Sequence, residues 1–151
     1  MPDQVRLQDV TADNWRAVTR LELTEEQKRL VANNVYSLAQ SKFEPQARPR
    51  AIYAGGTLVG FMMYDLELDD TPPQAAIYRF MIDKAHQGKG YGRKSLACAI
   101  EEIRQVPGIK SISISYLRDN PVAKKFYASL GFVEGKDDGD KWGEIHAELA
   151  L

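Results

Sequence analysis

An apolar strand pattern is joined to a helical pattern by the stretch His86-Gln87-Gly88-Lys89-Gly90-Tyr91-Gly92-Arg93-Lys94-Ser95. Its three glycines alternate with other residues and leave the main chain bare, so several N–H groups can point together at one anion. The N-terminus of the following helix adds partial positive charge, and Arg93 and Lys94 add full charges in the first helical turn. The stretch therefore predicts a loop that binds phosphate groups.

Two familiar phosphate-binding loops do not match this spacing. A Walker A loop that began at Gly88 would need a glycine where Arg93 stands. A dinucleotide-binding fingerprint lacks its third glycine whether it starts at Gly88 or at Gly90. That fingerprint also opens the first βαβ unit, whereas this loop lies past the midpoint of the chain. The spacing that remains is Gln87-x-x-Gly90-x-Gly92.

Length and composition favour one soluble globular domain over residues 1–151. The chain has 151 residues, of which 44% are hydrophobic, and this is enough to bury a sizeable core. Its 20 basic and 21 acidic residues nearly cancel, so bulk electrostatics give no reason to expect nucleic-acid binding. Because no apolar run reaches about 18 residues, we expect no membrane span.

Cysteine and histidine usage favours a reducing compartment and no metal site. Cys98 is the single cysteine and cannot form an internal disulfide, and no basic-then-apolar signal sequence opens the chain, so a cytoplasmic location is expected. Cys98 has no histidine near it in sequence, which favours an inert buried thiol over a nucleophile. His86 and His146 are far apart and lack companions at metal-ligand spacing.

Hydrophobic periodicity predicts a strand and then two helices in the first part of the chain. Apolar residues alternate over 5–10, which is typical of a strand, and a helix that carries Trp15 on its apolar face follows. Thr24 and Gln27 have the spacing of a capping box, which predicts a second helix that runs to about Gln40. That helix would bury Leu30, Val31, Val35 and Leu38.

The middle of the chain predicts a loop and three strands. Two prolines place residues 43–50 in a loop. Gly55-Gly56 joins strands over 51–54 and 58–66, because two glycines tolerate the positive φ values of a tight hairpin turn. The third strand, over 75–82, runs straight into the glycine loop.

After the glycine loop the pattern becomes helical and then extended. A helix begins at Gly90 or Tyr91, and apolar residues at helical spacing form its buried stripe, which consists of Leu96, Ile100 and Ile103. Isoleucines and serines alternate over 109–116, which predicts a strand parallel to the preceding one after a helical crossover. Residues 132–133 and 142–149 supply a closing β-pair.

The segment 120–132 contains signals for both ends of a short helix. Asn120 is a good N-cap, and Pro121 is suited to the first helical position. Gly131 is suited to the left-handed residue that ends the helix. The pair Phe126-Tyr127 lies between these signals.

These two segments resemble the GCN5-related N-acetyltransferases, the GNAT superfamily. Gln87-x-x-Gly90-x-Gly92 is similar to the pyrophosphate-binding motif of that family, and the segment from Asn120 through Phe126-Tyr127 to Phe132 is similar to its second signature. The resemblance implies an α/β (α+β) fold with a mixed, twisted central sheet of six to seven strands and about four helices. The sheet would splay between its fourth and fifth strands.

The resemblance also implies acetyl-coenzyme A as the cosubstrate and no metal. The pantetheine arm would lie in the gap between those strands, and the pyrophosphate would rest on main-chain N–H groups of the glycine loop. The cofactor-binding residues expected from the resemblance are Phe80, Met81, Ile82, Gln87, Gly88, Lys89, Gly90, Tyr91, Gly92, Arg93, Lys94, Asn120, Ala123 and Tyr127.

The chemistry of a thioester then suggests roles for these groups. A neutral amine attacks the acetyl carbonyl directly, and a main-chain N–H near Met81 or Ile82 can stabilise the oxyanion. The Tyr127 phenol, with an ordinary pKa of about 10, can give a proton to the departing sulfur. No covalent enzyme intermediate is required.

The general base is left open by the sequence. Members of the family often have a glutamate on the strand before the glycine loop, but this chain has Tyr78 and Arg79 there. Glu22 and Asp65, acting through water, are the alternatives, and either also fits a solvated surface charge.

Acidic residues and a closer resemblance favour a polyamine acceptor. A cleft with negative potential would concentrate a polycation, and it could be lined by Glu22, Glu25, Glu26, Glu44, Asp65, Glu67, Asp69 and Asp70. Solvated strand and helix faces are the plainer reading of the same residues. Segments 27–40 and 79–83 are similar to the corresponding parts of bacterial spermine/spermidine N-acetyltransferases. Trp15 and Tyr36 are candidate aromatics that face the cation.

Three function classes fit the sequence. The first is a small-amine acetyltransferase that acts on a polyamine or an aminoglycoside-like amine, the second is a protein or peptide N-acetyltransferase, and the third is a noncatalytic acyl-coenzyme A binding module. Tyr127 argues against the third class, because a sensor needs no proton donor. The resemblance implies a homodimer, and we expect neither nucleic acid nor membrane as a partner.

Overall fold

The computed structural model describes residues 4–28, 31–136, 141 and 143–151. Its strands are β1 (Val5–Asp9), β2 (Ala47–Ala54), β3 (Thr57–Glu67), β4 (Gln74–Ile82), β5 (Ser111–Leu117), β6 (Val133–Glu134) and β7 (Glu144–Ala150). Its α-helices are α1 (Trp15–Thr19), α2 (Asn34–Phe43), α3 (Tyr91–Arg104) and α4 (Pro121–Ser129). The strands form one seven-stranded sheet in the order β1-β2-β3-β4-β5-β7-β6.

The fourth and fifth strands are the one parallel pair in the described part of the chain. They pair from Gln74 opposite Ser111 to Ile77 opposite Ile114, and then they separate although both strands continue. The predicted mixed sheet of six to seven strands, with four helices and a split between the fourth and fifth strands, is confirmed.

Each face of the sheet has its own hydrophobic core. Along β3 the side chains alternate, so that Met62 packs with the core that includes α3, whereas Phe61 packs with the core that includes Val18 of α1. Leu96 and Ile103 of α3 are fully buried, as the stripe predicted. None of the helices described is both long enough and apolar enough to cross a bilayer.

Local signals at the hairpin and at α4 are confirmed. Gly55 and Gly56 have φ values of 58° and 95°, which a tight turn between β2 and β3 requires. The side chain of Asn120 accepts a hydrogen bond from the Ala123 main-chain N–H at 3.1 Å and caps α4. Gly131 follows the helix with a φ of 98°.

The predicted helix from Thr24 to Gln40 starts too early, although residues 34–40 are helical. The Thr24 N–H does donate to the Gln27 side chain at 3.3 Å, but the chain makes only turns there. The helix begins at residue 34 because Asn33 is the stronger cap, and its side chain accepts from the Tyr36 N–H at 2.7 Å. Val35, predicted to be buried, is therefore 59% exposed. Leu30 lies outside the described residues.

The predicted loop over residues 43–50 is also too long, because β2 already begins at Ala47. Pro49 lies in this strand opposite Met63 of β3, while β1 pairs with β2 only as far as Arg50. A proline is tolerated at a position where the strand has a neighbour on one side only.

The closing β-pair is confirmed by the antiparallel pairing of β6 with β7, in which Val133 faces Glu148. Trp142 and residues 137–140 of the predicted connection lie outside the described residues.

Gly60 tests the close approach of β3 to β4. A Cβ at this position would lie 2.4 Å from the main-chain oxygen of Met81. We expect Gly60→Ala to lower the free energy of unfolding by about 1–3 kcal/mol in urea denaturation, because the strands must move apart. The matched control is Gly92→Ala, whose Cβ would meet only Phe80 and Phe126, at 3.8 and 3.9 Å. Equal unfolding free energies for the two variants would contradict the close approach.

Candidate active site

A cavity of about 620 Å³ opens where β4 and β5 separate. Residues 77–82 of β4 line one wall, and the end of β5 and the first turns of α4 line the other. The glycine loop and the linker between α1 and α2 contribute the remaining lining residues. This volume lies within the range of about 300–1,000 Å³ that is typical of ligand sites.

The main chain of β4 has an unpaired edge in this cavity. Beyond Ile77 the strand pairs with β3 on one side, and no strand of the described part of the chain pairs with it on the other. N–H and C=O groups along such an edge require partners. Phe80, Met81 and Ile82 all line the cavity here, so an extended ligand arm fits beside them.

The glycine loop presents bare main chain to the cavity. Gly88 and Gly90 have φ values of 79° and 83°, and a Cβ at either position would meet no atom within 4 Å. Gly90 is also the N-cap of α3 and has no side chain to accept from the first-turn N–H groups. These groups, together with the dipole of a 14-residue helix, fit a pyrophosphate.

The charged side chains of the loop differ in how they are held. The Arg93 guanidinium bonds to the Ser129 hydroxyl and lies 5.8 Å from the centre of the Phe126 ring, so it is fastened to α4. Lys89 and Lys94 are exposed and make no ion pair with any described residue. Both lysines are therefore available to an anion at the loop.

Gln87 acts as a structural link through its side chain. Its Nε2 donates to the Ile82 carbonyl at 2.9 Å and to the Gln27 side-chain oxygen at 2.8 Å. Gln27 Nε2 donates back to Gln87 Oε1 at 3.2 Å. The side chain thus ties the loop to β4 and to the linker.

Tyr127 lines the cavity from an aromatic cluster. Its ring is stacked on Tyr116 with 5.6 Å between centroids, and it meets Phe126 and Phe132 edge-on at 5.2 and 5.8 Å. Burial in this cluster raises the pKa of Tyr127 to about 12. No hydrogen bond among the described residues uses its hydroxyl.

The expected cofactor residues Asn120, Ala123 and Tyr91 also line the cavity. The Asn120 carboxamide oxygen is occupied by the cap of α4, and Tyr91 is buried at the start of α3.

The two candidate bases lie in different surroundings. Glu22 is exposed and pairs with Lys84 Nζ at 2.8 Å, and the hydrogen bond and charge of Lys84 lower the pKa of its carboxyl. Asp65 is half-buried, and its Oδ1 accepts from the Tyr78 hydroxyl at 2.8 Å. Desolvation is the main reason that the pKa of Asp65 is raised. Neither carboxylate lines the cavity, but Tyr78 does.

The predicted acceptor residues are brought together only in part. Glu26 lines the cavity, and it makes no ion pair with a described residue. Trp15 and Tyr36 are 42% and 59% exposed and lie outside the lining. The other acidic side chains that also lie outside it are Glu22, Glu25, Glu44, Asp65, Glu67, Asp69 and Asp70.

Sequence reasoning did not place several lining residues in the site, namely Leu23, Gln27, Val31, Tyr78, Arg79, Tyr116 and Asp119. The alternation along β5, which buries Ile112, Ile114 and Tyr116, was a usable signal for one of them. No signal in the sequence placed the linker residues Leu23, Gln27 and Val31 in the site, because their pattern predicted a helix.

Cys98 and the acidic and histidine residues give no sign of other chemistry. Desolvation raises the pKa of Cys98, whose thiol donates to the Val5 carbonyl at 3.4 Å. Within the described ranges no group of three or more His, Cys, Asp or Glu side chains could hold a metal ion.

Two curated relatives are similar to most of the chain. The probable spermine N(1)-acetyltransferase of Bacillus subtilis subsp. natto (strain BEST195) is 32% identical over 132 residues, which are 85% of this chain and 87% of that protein. The spermine/spermidine N(1)-acetyltransferase of Bacillus subtilis (strain 168) is 31% identical over the same shares. The resemblance drawn from the sequence is thereby confirmed.

Solved structures agree on the fold. Spermidine N-acetyltransferase from Vibrio cholerae, in complex with CoA and spermine, matches with a TM-score of 0.78 and 16% identity over 97% of this chain and 95% of that chain. Identity this low supports the fold alone. The model of the Acetyltransferase (GNAT) family matches residues 8–132. Because this match and the two relatives cover most of the sequence, the chain belongs to the GNAT family of acetyltransferases.

Proposed function

We propose that this protein transfers the acetyl group of acetyl-coenzyme A to a primary amine of a polyamine such as spermine or spermidine. The observation that carries the proposal is that one cavity is lined by the bare glycine loop, by Tyr127 and by the open edge of β4. The polyamine acceptor is supported by the names of the two Bacillus relatives.

The residues present fit acetyl-coenzyme A, which supplies the acetyl group as a thioester. The main-chain N–H groups around Gly88 and Gly90 would hold its phosphates, with Lys89 and Lys94 adding charge. The unpaired edge of β4 along residues 80–82 would hold the extended arm through strand-like hydrogen bonds.

The chain's own groups supply the chemistry of transfer. A main-chain N–H near Met81 or Ile82 would stabilise negative charge on the acetyl oxygen as the neutral amine attacks. Tyr127 would give its proton to the departing sulfur, and no covalent enzyme intermediate is needed. Because the pKa of Tyr127 is about 12, the phenol keeps this proton throughout the neutral pH range.

The lining of the cavity includes two carboxylates, those of Glu26 from the linker and Asp119 before α4. A carboxylate in the lining would attract a second ammonium group of a polyamine, which a monoamine lacks. A cytoplasmic location and a homodimer remain predictions from the sequence.

An acceptor screen tests the substrate class. Thiol release from acetyl-coenzyme A would be followed with spermine, spermidine, a diamine, an aminoglycoside and a peptide with a free N-terminus. We expect the highest kcat/KM with spermine or spermidine, because these carry several positive charges. Turnover confined to peptides would overturn the polyamine assignment. Binding of acetyl-coenzyme A without turnover of any amine would favour the binding module instead.

Tyr127→Phe tests the general acid. Loss of the phenolic proton should lower kcat by about a hundredfold, while the affinity for acetyl-coenzyme A measured by calorimetry stays nearly intact. The wild-type rate should show no limb from this phenol between about pH 6 and pH 9, since a raised pKa keeps the acid form present until the pH approaches that value. An unchanged kcat would remove Tyr127 from the acid role.

Gly90→Val tests the phosphate cradle. A branched side chain would fill the space meant for the pyrophosphate, and we expect affinity for acetyl-coenzyme A to fall about tenfold or more, because one hydrogen bond to a charged group contributes about 1.5–3 kcal/mol. Gly56→Val is the matched control, since Gly56 also has a positive φ and open space. It should lose stability but keep its affinity in calorimetry. Equal affinity of the two variants would contradict the placement of the pyrophosphate.

A further inference from the structure

A β-bulge places two consecutive side chains of β4 on the same face of the sheet. The pairing of β4 with β3 skips Tyr78, because Ile77 and Arg79 face consecutive residues of β3. Ile77 packs in the core that includes α3, whereas Tyr78 packs in the core on the other face. The Arg79 guanidinium lies on that second face too, where it donates to Gln40 of α2 at 3.2 Å.

Tyr78 lines the cavity, and its hydroxyl is bonded to a carboxylate on the neighbouring strand. Tyr78 lines the cavity together with Met81, and its hydroxyl donates to Asp65 Oδ1 at 2.8 Å. The guanidinium carbon of Arg79 lies 4.9 Å from the centre of the Tyr78 ring and holds the ring in place. β4 itself carries no carboxylate. The carboxylate next to this wall is that of Asp65 on β3, and the Tyr78 phenol lies between the two strands' side chains as its hydrogen-bond donor.

The surroundings of Asp65 favour proton acceptance. Burial raises the pKa of Asp65, and so does the negative charge of a neighbouring carboxylate, while hydrogen bonds from Tyr78 and Gln46 act in the opposite direction. The charged or titratable groups that act on Asp65 or are acted on by it are Glu44, Glu67, Tyr78 and Arg79. Asp65 is only half-buried, so it can exchange a proton with solvent.

We propose that Tyr78 contacts the acceptor amine and passes its proton to Asp65, which makes Tyr78 a catalytic residue and Asp65 the positioning residue that acts through it. The inference rests on the proposed acetyl transfer. In place of a carboxylate that acts through water, the general base becomes the pair Tyr78 and Asp65. Glu22 then has no role in proton removal.

The proton balance of this step is complete. As the nitrogen–carbon bond forms, one N–H bond of the amine breaks and its proton moves to the Tyr78 oxygen. The original phenolic proton moves along the hydrogen bond to Asp65 Oδ1, so Tyr78 stays neutral and Asp65 becomes neutral. The carbon–sulfur bond of the thioester breaks, and the departing sulfur takes its proton from Tyr127. Asp65 then loses a proton to solvent, and Tyr127 regains a proton from solvent.

The pH dependence of kcat/KM for spermine tests the relay. The carboxylate form of Asp65 is required, so wild-type activity should fall as the pH drops through the raised pKa of this group. Asp65→Asn and Tyr78→Phe should each lower the rate by about a hundredfold and lose this acid limb. Tyr53→Phe is the matched control, because Tyr53 packs on the same face but does not line the cavity. It should keep both the rate and the limb.

A titration of the Asp65 carboxyl carbon by ¹³C NMR gives a readout that needs no turnover. Glu44→Gln should move the Asp65 midpoint to lower pH, because a repelling charge is removed. Tyr78→Phe should move it to higher pH, because the hydrogen bond that stabilises the carboxylate is lost. The acid limb of Glu44→Gln should shift with the carboxyl midpoint, which a purely structural role for Asp65 would not produce.

The outcomes separate the relay from the proposed function. If Tyr78→Phe and Asp65→Asn keep the wild-type rate and acid limb while Tyr127→Phe loses rate, acetyl transfer stands and the relay is overturned. The same holds if the acid limb stays fixed when the Asp65 midpoint moves. If the wild-type protein acetylates no amine, the proposed function fails and the relay fails with it.

Discussion

Beyond Ile77 the main chain of β4 has a strand on one side only, although the strand continues to Ile82. A buried N–H or C=O group without a partner costs about 1–3 kcal/mol, so this edge favours whatever can complete it. The four residue pairs that join β4 to β5 hold the two strands in parallel register, and their divergence opens the cavity. A ligand with an extended amide-containing arm would take the place of the missing strand. The separation of β4 from β5 therefore determines both the form of the sheet and the position of the site.

The local charges that line the cavity differ from the nearly neutral charge of the whole chain. The formal charge of the chain is −1, and exposed charges are screened beyond about 8 Å at physiological ionic strength. The loop at Gly88 and Gly90 offers N–H groups and a helix N-terminus to phosphates. Glu26 adds a carboxylate to the same lining. The anionic donor and the polyamine acceptor that we propose would therefore meet local charges of opposite sign without a strongly charged protein surface.

The parts of the fold that were predicted from the sequence rest on local rules. The glycine loop, the Gly55-Gly56 hairpin and the cap at Asn120 each depend on residues a few positions apart, and the structure has all three as geometric features. The start of α2 was missed because two capping signals compete, and Asn33 prevails over Thr24. The contact of Tyr78 with Asp65 depends on strand pairing and a one-residue bulge, which no spacing within either strand reveals.

Two tyrosines line different walls of the cavity, and their neighbours give them different chemistry. Burial raises the pKa of both phenols, so neither ionises near neutral pH. Tyr127 packs against the rings of Tyr116, Phe126 and Phe132, and no hydrogen bond among the described residues uses its hydroxyl. The Tyr78 proton already points at Asp65, so this oxygen can accept a second proton as the first one moves on. In the proposed mechanism, these different surroundings would make one tyrosine an acid and the other a base. The proton that leaves the amine and the proton that reaches the sulfur would then be different protons, and solvent would restore both side chains between turnovers.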